Sequence, residues 1–201
     1  MRIAFIGAGS VGFTQKLVRD ILTVPELQET EFSLQDISQD NLEKVKQLLE
    51  KDISANELPA KVFSTTDRAE ALAGAKYVIN CSRIGGLEAF RHDIEIPLKY
   101  GVDQCVGDTV CAGGIHYGQR SIPAILDFCE DIRSYAETDA LFLNYANPLA
   151  MNTWAAIDYG KVNTIGLCHG VQGGAKLISE VLGAEDPKAV SYTHLTLPTK
   201  A

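Results

Sequence analysis

No run in this sequence approaches the roughly 20 consecutive apolar residues that a spanning helix needs, so a membrane-embedded chain is not expected. The earliest apolar stretch, Ile3 to Ile6, is short and broken by glycine; it reads as a strand, and no signal peptide is expected. Positive charge is in deficit, with 18 Lys and Arg against 26 Asp and Glu for a net charge of −8. Nucleic acid and acidic membrane surfaces both repel such a chain, so neither is an expected partner. Paired cysteines are missing too. Cys81, Cys105, Cys111, Cys129 and Cys168 are odd in number and contain no C-x-x-C, which excludes a disulfide framework and a zinc knuckle. A reduced, cytoplasmic compartment is expected. There is no internal repeat and no low-complexity segment. What remains is ordinary globular material: 201 residues, 46% hydrophobic and 22% charged. A chain of that size buries roughly 70% of its unfolded surface and needs no staples.

The first dozen residues, MRIAFIGAGSVG, organise the rest. The apolar run stops at Gly7, and Gly7, Gly9 and Gly12 fall in a G-x-G-x-x-G pattern before apolar residues at helical spacing from Ser10 to Leu22. Strand, tight turn and helix in that order form a dinucleotide-binding signature. Gly7 permits the turn, Gly9 admits a pyrophosphate to the backbone, and Gly12 is expected to let the helix pack closely on the strand. The helix N–H groups after Ser10 and the dipole favour the phosphate charge. A second strand, Glu31 to Gln35, ends on Asp36, placed to accept both ribose hydroxyls of an adenosine. Its charge repels a 2′-phosphate, so the expected cofactor is NAD rather than NADP.

Ser38 is expected to cap a helix whose Leu42, Val45, Leu48, Leu49 and Ile53 make one apolar stripe. Strands follow at Lys61 to Ser64, Tyr77 to Asn80, Leu141 to Asn144 and Val162 to Leu167, with a short helix from Asp67 to Leu72. A helix from about Ala89 to Tyr100, interrupted near Pro97, leads to a glycine-rich loop from Gly101 to Gly118. Pro123 marks the start of the next helix, which buries Cys129, and a last helix runs from about Val171 to Leu182. Alternating strands and helices with short connections predict an α/β fold, a doubly wound, Rossmann-like parallel sheet of order 3-2-1-4-5-6. Residues 1–189 read as one NAD-binding domain. Residues 190–201, VSYTHLTLPTKA, resemble a translated cloning tail and are expected to be non-native.

Ligands of such folds bind at the carboxyl ends of the strands. Arg83, Asp108, Asn147, Cys168 and His169 fall on loops expected there. Cys168 as a thiolate can ligate a divalent metal; a small buried thiol is the plainer alternative. His169 is a second possible ligand, although neighbours in extended chain point opposite ways. Asn147, before Pro148, is either a group beside substrate and nicotinamide or a turn residue. Arg83, Arg91 and Arg120 can contact an anionic or hydroxylated substrate or stay on the surface.

The turn GAGS, Asp36, SRIGG with FRHDIEIPLKYG, VGDT with AGG, NYANPLAMNTW and GLCHGVQGG occur together in this order. That set resembles the NAD- and manganese-dependent glycosidases of glycoside hydrolase family 4, most closely their α-galactosidase branch, over Met1 to about Ala189. The resemblance implies an enzyme that hydrolyses a small α-glycoside with NAD and Mn²⁺ as cofactors. The implied route is oxidation at C3 of the sugar, elimination of the aglycone, addition of water and re-reduction, outside the two-carboxylate scheme. By motif position Cys168 would be a metal ligand, Asn147 and Arg91 substrate contacts, and Asp108 and His169 catalytic groups. Gly7, Gly9, Ser10, Gly12 and Asp36 would hold the cofactor.

The family's second metal histidine and its catalytic tyrosine lie beyond the residues present. The chain is therefore expected to be an N-terminal fragment lacking the C-terminal domain and inactive alone, its full-length form a homo-oligomer. Two other functions share the fold: a lactate- or malate-type dehydrogenase, and a non-catalytic NAD-binding module.

Overall fold

The computed structural model describes residues 1–104, 107–168 and 170–183, with backbone alone at 171 and 172. The expected tail at 190–201 lies outside the described residues. Two compact units are distinguishable: Met1–Gly166, and a second that begins at Leu167. That boundary falls inside the 1–189 stretch read from the sequence as one domain.

The first unit is built on six parallel strands: β1 (Arg2–Ile6), β2 (Glu31–Gln35), β3 (Lys61–Thr65), β4 (Tyr77–Asn80), β5 (Leu141–Asn144) and β6 (Thr164–Gly166). Their order across the sheet is β3-β2-β1-β4-β5-β6, as the strand-helix alternation predicts. The register runs Ile6 beside Gln35 and Asn80, and Asn80 beside Asn144. Arg83, after β4, and Asn147, after β5, therefore follow strands that end at the same edge of the sheet. The central strands are apolar because helices cover both faces.

Helices α1 (Val11–Leu22) and α2 (Gln39–Ala55) cover one face. Val18, Leu42, Val45 and Leu49 there close over Phe5, Phe32 and Leu34, all essentially inaccessible. Phe5 and Phe32 meet at a ring distance of 6.4 Å. On the other face α3 (Arg68–Leu72), α5 (Cys111–Tyr135) and α6 (Leu149–Asp158) enclose Ile6, Val78 and Phe142 with Ile125, Cys129 and Ala156. Each Val, Leu, Ile or Phe side chain among these, taken from water, contributes about 1.5–3 kcal/mol. Helix α4 (Gly86–Leu98) packs on α5, and α7 (Gly170–Leu182) belongs to the second unit.

Two expectations need correction. Gly101–Gly118 is not one long loop. It becomes helical at Cys111, and α5 continues through Pro123 for 25 residues. Glycine is a poor helix former, but here close packing overrides propensity. A Cβ on Gly114 would stand 2.6 Å from the Thr109 backbone, and one on Gly118 2.5 Å from the Met151 sulfur. The preceding helix also begins earlier than expected, at Gly86, after Gly85 at φ +84°. Pro97 is its penultimate residue, and the helix ends at Leu98, short of the expected Tyr100. Proline removes the N–H that would bond the carbonyl four residues back, at Asp93. That carbonyl accepts the Gln104 amide instead, at 2.8 Å.

Candidate functional site

The site is built outward from the end of β1. Gly7 sits at φ +79°, and a Cβ there would lie 2.5 Å from the Ser82 Cα, so only glycine fits between the turn and the loop after β4. The N–H groups of Gly7 and Ala8 both donate to the Gln35 carbonyl at 2.9 Å, which ties the turn to the tip of β2. Thr14, buried in α1, anchors it from below by donating from its hydroxyl to the Ala8 carbonyl at 2.9 Å.

Asp36 completes the turn. Its Oδ2 accepts the Gly9 N–H at 2.8 Å and its Oδ1 the Ser38 N–H at 3.0 Å. A Cβ on Gly9 would meet that carboxylate at 2.7 Å. Each carboxylate oxygen has a second lone pair free for another donor.

Gly12 behaves differently from the expectation. A Cβ there would meet nothing within 4 Å, so close packing of helix on strand does not require this glycine. It is exposed on the first turn of α1. Ser10, the N-cap, makes no side-chain capping bond, and no acidic residue lies in that first turn. The first N–H groups of α1 are thus left for an anion.

In front of this turn lies a cleft of about 550 Å³, within the usual range for small-molecule sites. Gly7, Ser10, Asp36 and Ile37 line one side and Cys81 to Gly86 the other, at the point where the strand order reverses. Burial pushes the Cys81 thiol up to about 12, so it faces the cleft as a neutral group. A hollow of about 570 Å³ lies between the far ends of α1 and α2, around the Arg19–Asp52 ion pair, and holds none of the candidate residues.

The neighbouring loops are shaped by buried amides that sequence reasoning passed over. Asn80 and Asn144, both 0% exposed, stand in register at the ends of β4 and β5. Asn80 Nδ2 donates to Asn144 Oδ1 at 2.9 Å. Asn80 Oδ1 accepts the Ser82 N–H at 3.1 Å and its hydroxyl at 2.8 Å, which fixes the loop that opposes Gly7. The available signal was a polar residue closing each of two apolar runs, YVIN and LFLN.

The structure brings Asp108 and Asn147 together: Asn147 Nδ2 donates to Asp108 Oδ2 at 3.0 Å. The segment carrying Asp108 is held by Gln104, whose Oε1 accepts the Gly113 N–H at 3.1 Å while its amide bonds Asp93. Asp93 is 3% exposed and forms a paired bridge to Arg120 at 2.7 and 3.1 Å. Arg120 also donates to the Ile84 carbonyl at 3.0 Å, so it is a strut between α5 and the loop after β4. Two guanidinium groups lie over the Tyr117 ring, Arg120 at 5.0 Å and Arg83 at 5.9 Å from its centre. Burial raises its phenol, and the two cations oppose that.

Arg91 is not drawn into this group. It stands on the exposed side of α4 and pairs with Glu95 one turn on, at 2.6 Å. Cys168, in the second unit, is exposed and its sulfur accepts the Gly170 N–H at 3.3 Å. Among the described residues no three His, Cys, Asp or Glu side chains converge as a metal site. His169 lies outside the described residues. No helix among them is long and apolar enough to cross a membrane.

Strand order, glycine turn and the acid after β2 define the class, a doubly wound Rossmann-like domain with its cleft at the switch point. Residues 2–184 match the model of the family 4 glycosyl hydrolases, and the chain belongs to that family. An alpha-galactosidase of Rhizobium meliloti (strain 1021) is 67% identical over 185 residues, which are 92% of this chain and 38% of that protein. An alpha-galactosidase of Bacillus subtilis (strain 168) is 40% identical over 92% of this chain and 43% of its own length. The 6-phospho-beta glucosidase from Thermotoga maritima, solved with manganese, NAD⁺ and glucose-6-phosphate, superposes with a TM-score of 0.79 at 29% identity, covering 92% of this chain and 43% of that one. The chain thus spans about two fifths of the length of these relatives.

Proposed function

We propose that this chain is the cofactor-binding portion of an NAD- and divalent-metal-dependent glycosidase acting on α-galactosides. The observation that carries the cofactor is the uncapped start of α1 beside the glycine turn. Its free N–H groups, with the exposed Gly12 face, suit a pyrophosphate. Gly7, Gly9 and Ser10 shape the approach, and Asp36 accepts the ribose hydroxyls with its remaining lone pairs while its charge turns away a 2′-phosphate. When bound, NAD supplies reversible hydride acceptance, and a cation such as Mn²⁺ supplies Lewis acidity toward sugar oxygens.

The metal fits this chain only in part. Cys168 offers one soft donor, poised by the Gly170 N–H. Among the described residues it belongs to no cluster of three donors. The remaining ligands are assigned to the part of the relatives' length that this chain does not span.

Asp108 and Asn147 are the groups proposed to meet the sugar. The Asn147 amide holds the Asp108 carboxylate in one orientation, leaving its other lone pairs to hold or release a proton at a sugar oxygen or carbon. Arg91 is proposed to orient the sugar by leaving Glu95, and His169 to act beside Cys168. The galactoside preference rests on the 67% identical relative.

A chimera in which residues 1–184 replace the matching part of that alpha-galactosidase tests the reading. It is expected to hydrolyse an aryl α-galactoside in the presence of NAD and Mn²⁺ without net NADH, whereas the 201-residue chain alone does not. Net NADH from a 2-hydroxy acid, or a folded, NAD-binding chimera without hydrolysis, would refute it.

A further inference from the structure

Asn147 reaches Asp108 because its backbone is held, and the residue holding it is one the proposed function leaves unused. Asn152 lies in the first turn of α6 and is 1% exposed. Its Nδ2 donates to the Asn147 carbonyl at 3.0 Å and to the Ala146 carbonyl at 3.4 Å. The Ala146 carbonyl also accepts Asn144 Nδ2 at 3.1 Å, and the Ala146 N–H donates to Asn144 Oδ1 at 3.2 Å. Two successive carbonyls of the loop are therefore gripped by buried amides, one from the sheet and one from the helix. Through Asn80 this chain of amides continues to the loop that faces Gly7.

Asn152 Oδ1 is also buried and accepts no hydrogen bond among the described residues. A buried oxygen without a donor costs stability, and leucine would fill the same space without that cost. Shape alone does not explain an asparagine here. Its Nδ2 donor does.

We infer that Asn152 is a positioning residue: it fixes the Asn147 carbonyl so that the Asn147 side chain is delivered to the Asp108 carboxylate. This rests on the reading of Asp108 and Asn147 as site residues. The delivered bond is 3.0 Å long, so a displacement of about an ångström breaks it. Asp108 then keeps, among the described residues, only the adjacent Thr109 hydroxyl at 3.1 Å.

The test uses the ¹⁵N-labelled 201-residue chain and follows the side-chain amide of Asn147, identified by its loss in Asn147→Ser. The reference for a broken contact is Asp108→Ala. Asn152→Leu is expected to move the Asn147 amide resonances to their Asp108→Ala positions. Hydrogen exchange should quicken at least about tenfold, as for one lost hydrogen bond to a charged group. Asn152→Val, closer in volume to asparagine and also without a donor, is expected to do the same. A role in filling space alone would leave the resonances at their wild-type positions in both variants, which overturns the inference. Should the leucine variant fail to fold, the valine variant decides. A wild-type Asn147 amide exchanging like a fully exposed asparagine overturns it with no variant at all. NAD titration of the wild-type chain is a separate measurement: its failure would fault the proposed function and leave the Asn152 result standing.

Discussion

At the scale of single residues, the three glycines of the turn do different work, and substitution separates them. Alanine at Gly7 meets both a left-handed backbone and the Ser82 main chain at 2.5 Å. Gly7→Ala is expected to lose about 2 kcal/mol or more in urea unfolding, since the clash is with backbone that has no rotamer to change. Gly12 has open space before it and sits in the first turn of a helix. Gly12→Ala is expected to leave stability within about 0.5 kcal/mol or to raise it by up to about 1 kcal/mol. Equal losses in the two variants would show that both glycines serve packing. The sequence pattern places the turn correctly but does not distinguish these roles, because identical residues at fixed spacing carry no record of what lies opposite each Cβ.

At the scale of elements, the asparagines closing β4 and β5 join two strands and two loops through one network. Asn144→Ala strands the Asn80 amide and the Ala146 N–H in a fully buried setting. It is expected to cost about 2–4 kcal/mol. Replacing Asn80 and Asn144 together with leucine removes donor and acceptor at once. The double variant is expected to be more stable than the sum of the single losses by about 1–2 kcal/mol, measured as a double-mutant cycle. Strict additivity would mean that the two amides act independently. The elements themselves were largely legible: apolar runs and periodicity give β2 and β4 their observed bounds, and the capping role of Ser38 is present as a bond from the Asn41 N–H at 3.3 Å. The start of α5 was not legible. Gly113, Gly114 and Gly118 are helical only because neighbouring backbone and side chains leave no room for a Cβ, a tertiary fact that local propensity does not contain.

At the scale of the whole molecule, two buried thiols give stability a dependence on alkaline pH. Burial pushes Cys81 up to about 12 and Cys129 up to about 11, whereas thiols of the unfolded chain ionise near pH 8.5. Between about pH 9 and 11 the unfolded chain has released these protons and the native chain has not, so stability falls as pH rises. The expected slope is about 1.4 kcal/mol per pH unit for each thiol, and Cys129→Ala should remove one share of it. A flat profile across that range would mean that both thiols ionise in the folded chain. The strand order was legible at this scale because short connections and right-handed crossovers leave few alternatives. The meeting of Asp108 with Asn147 was not. It depends on Gln104, Asp93 and Arg120 fastening a segment that composition describes only as rich in glycine.

The central claim is that the turn from Gly7 to Gly12, with Asp36, is a seat for NAD. Calorimetric titration of NAD into the wild-type chain and into Gly12→Ala tests it most directly. The account predicts saturable one-to-one binding by the wild type. It also predicts at least about a tenfold weaker affinity in Gly12→Ala at an unfolding midpoint no lower than the wild type's, because the added methyl group stands where the pyrophosphate must approach. A folded wild-type chain that takes up no NAD, or a Gly12→Ala variant that binds it equally well, would contradict the account.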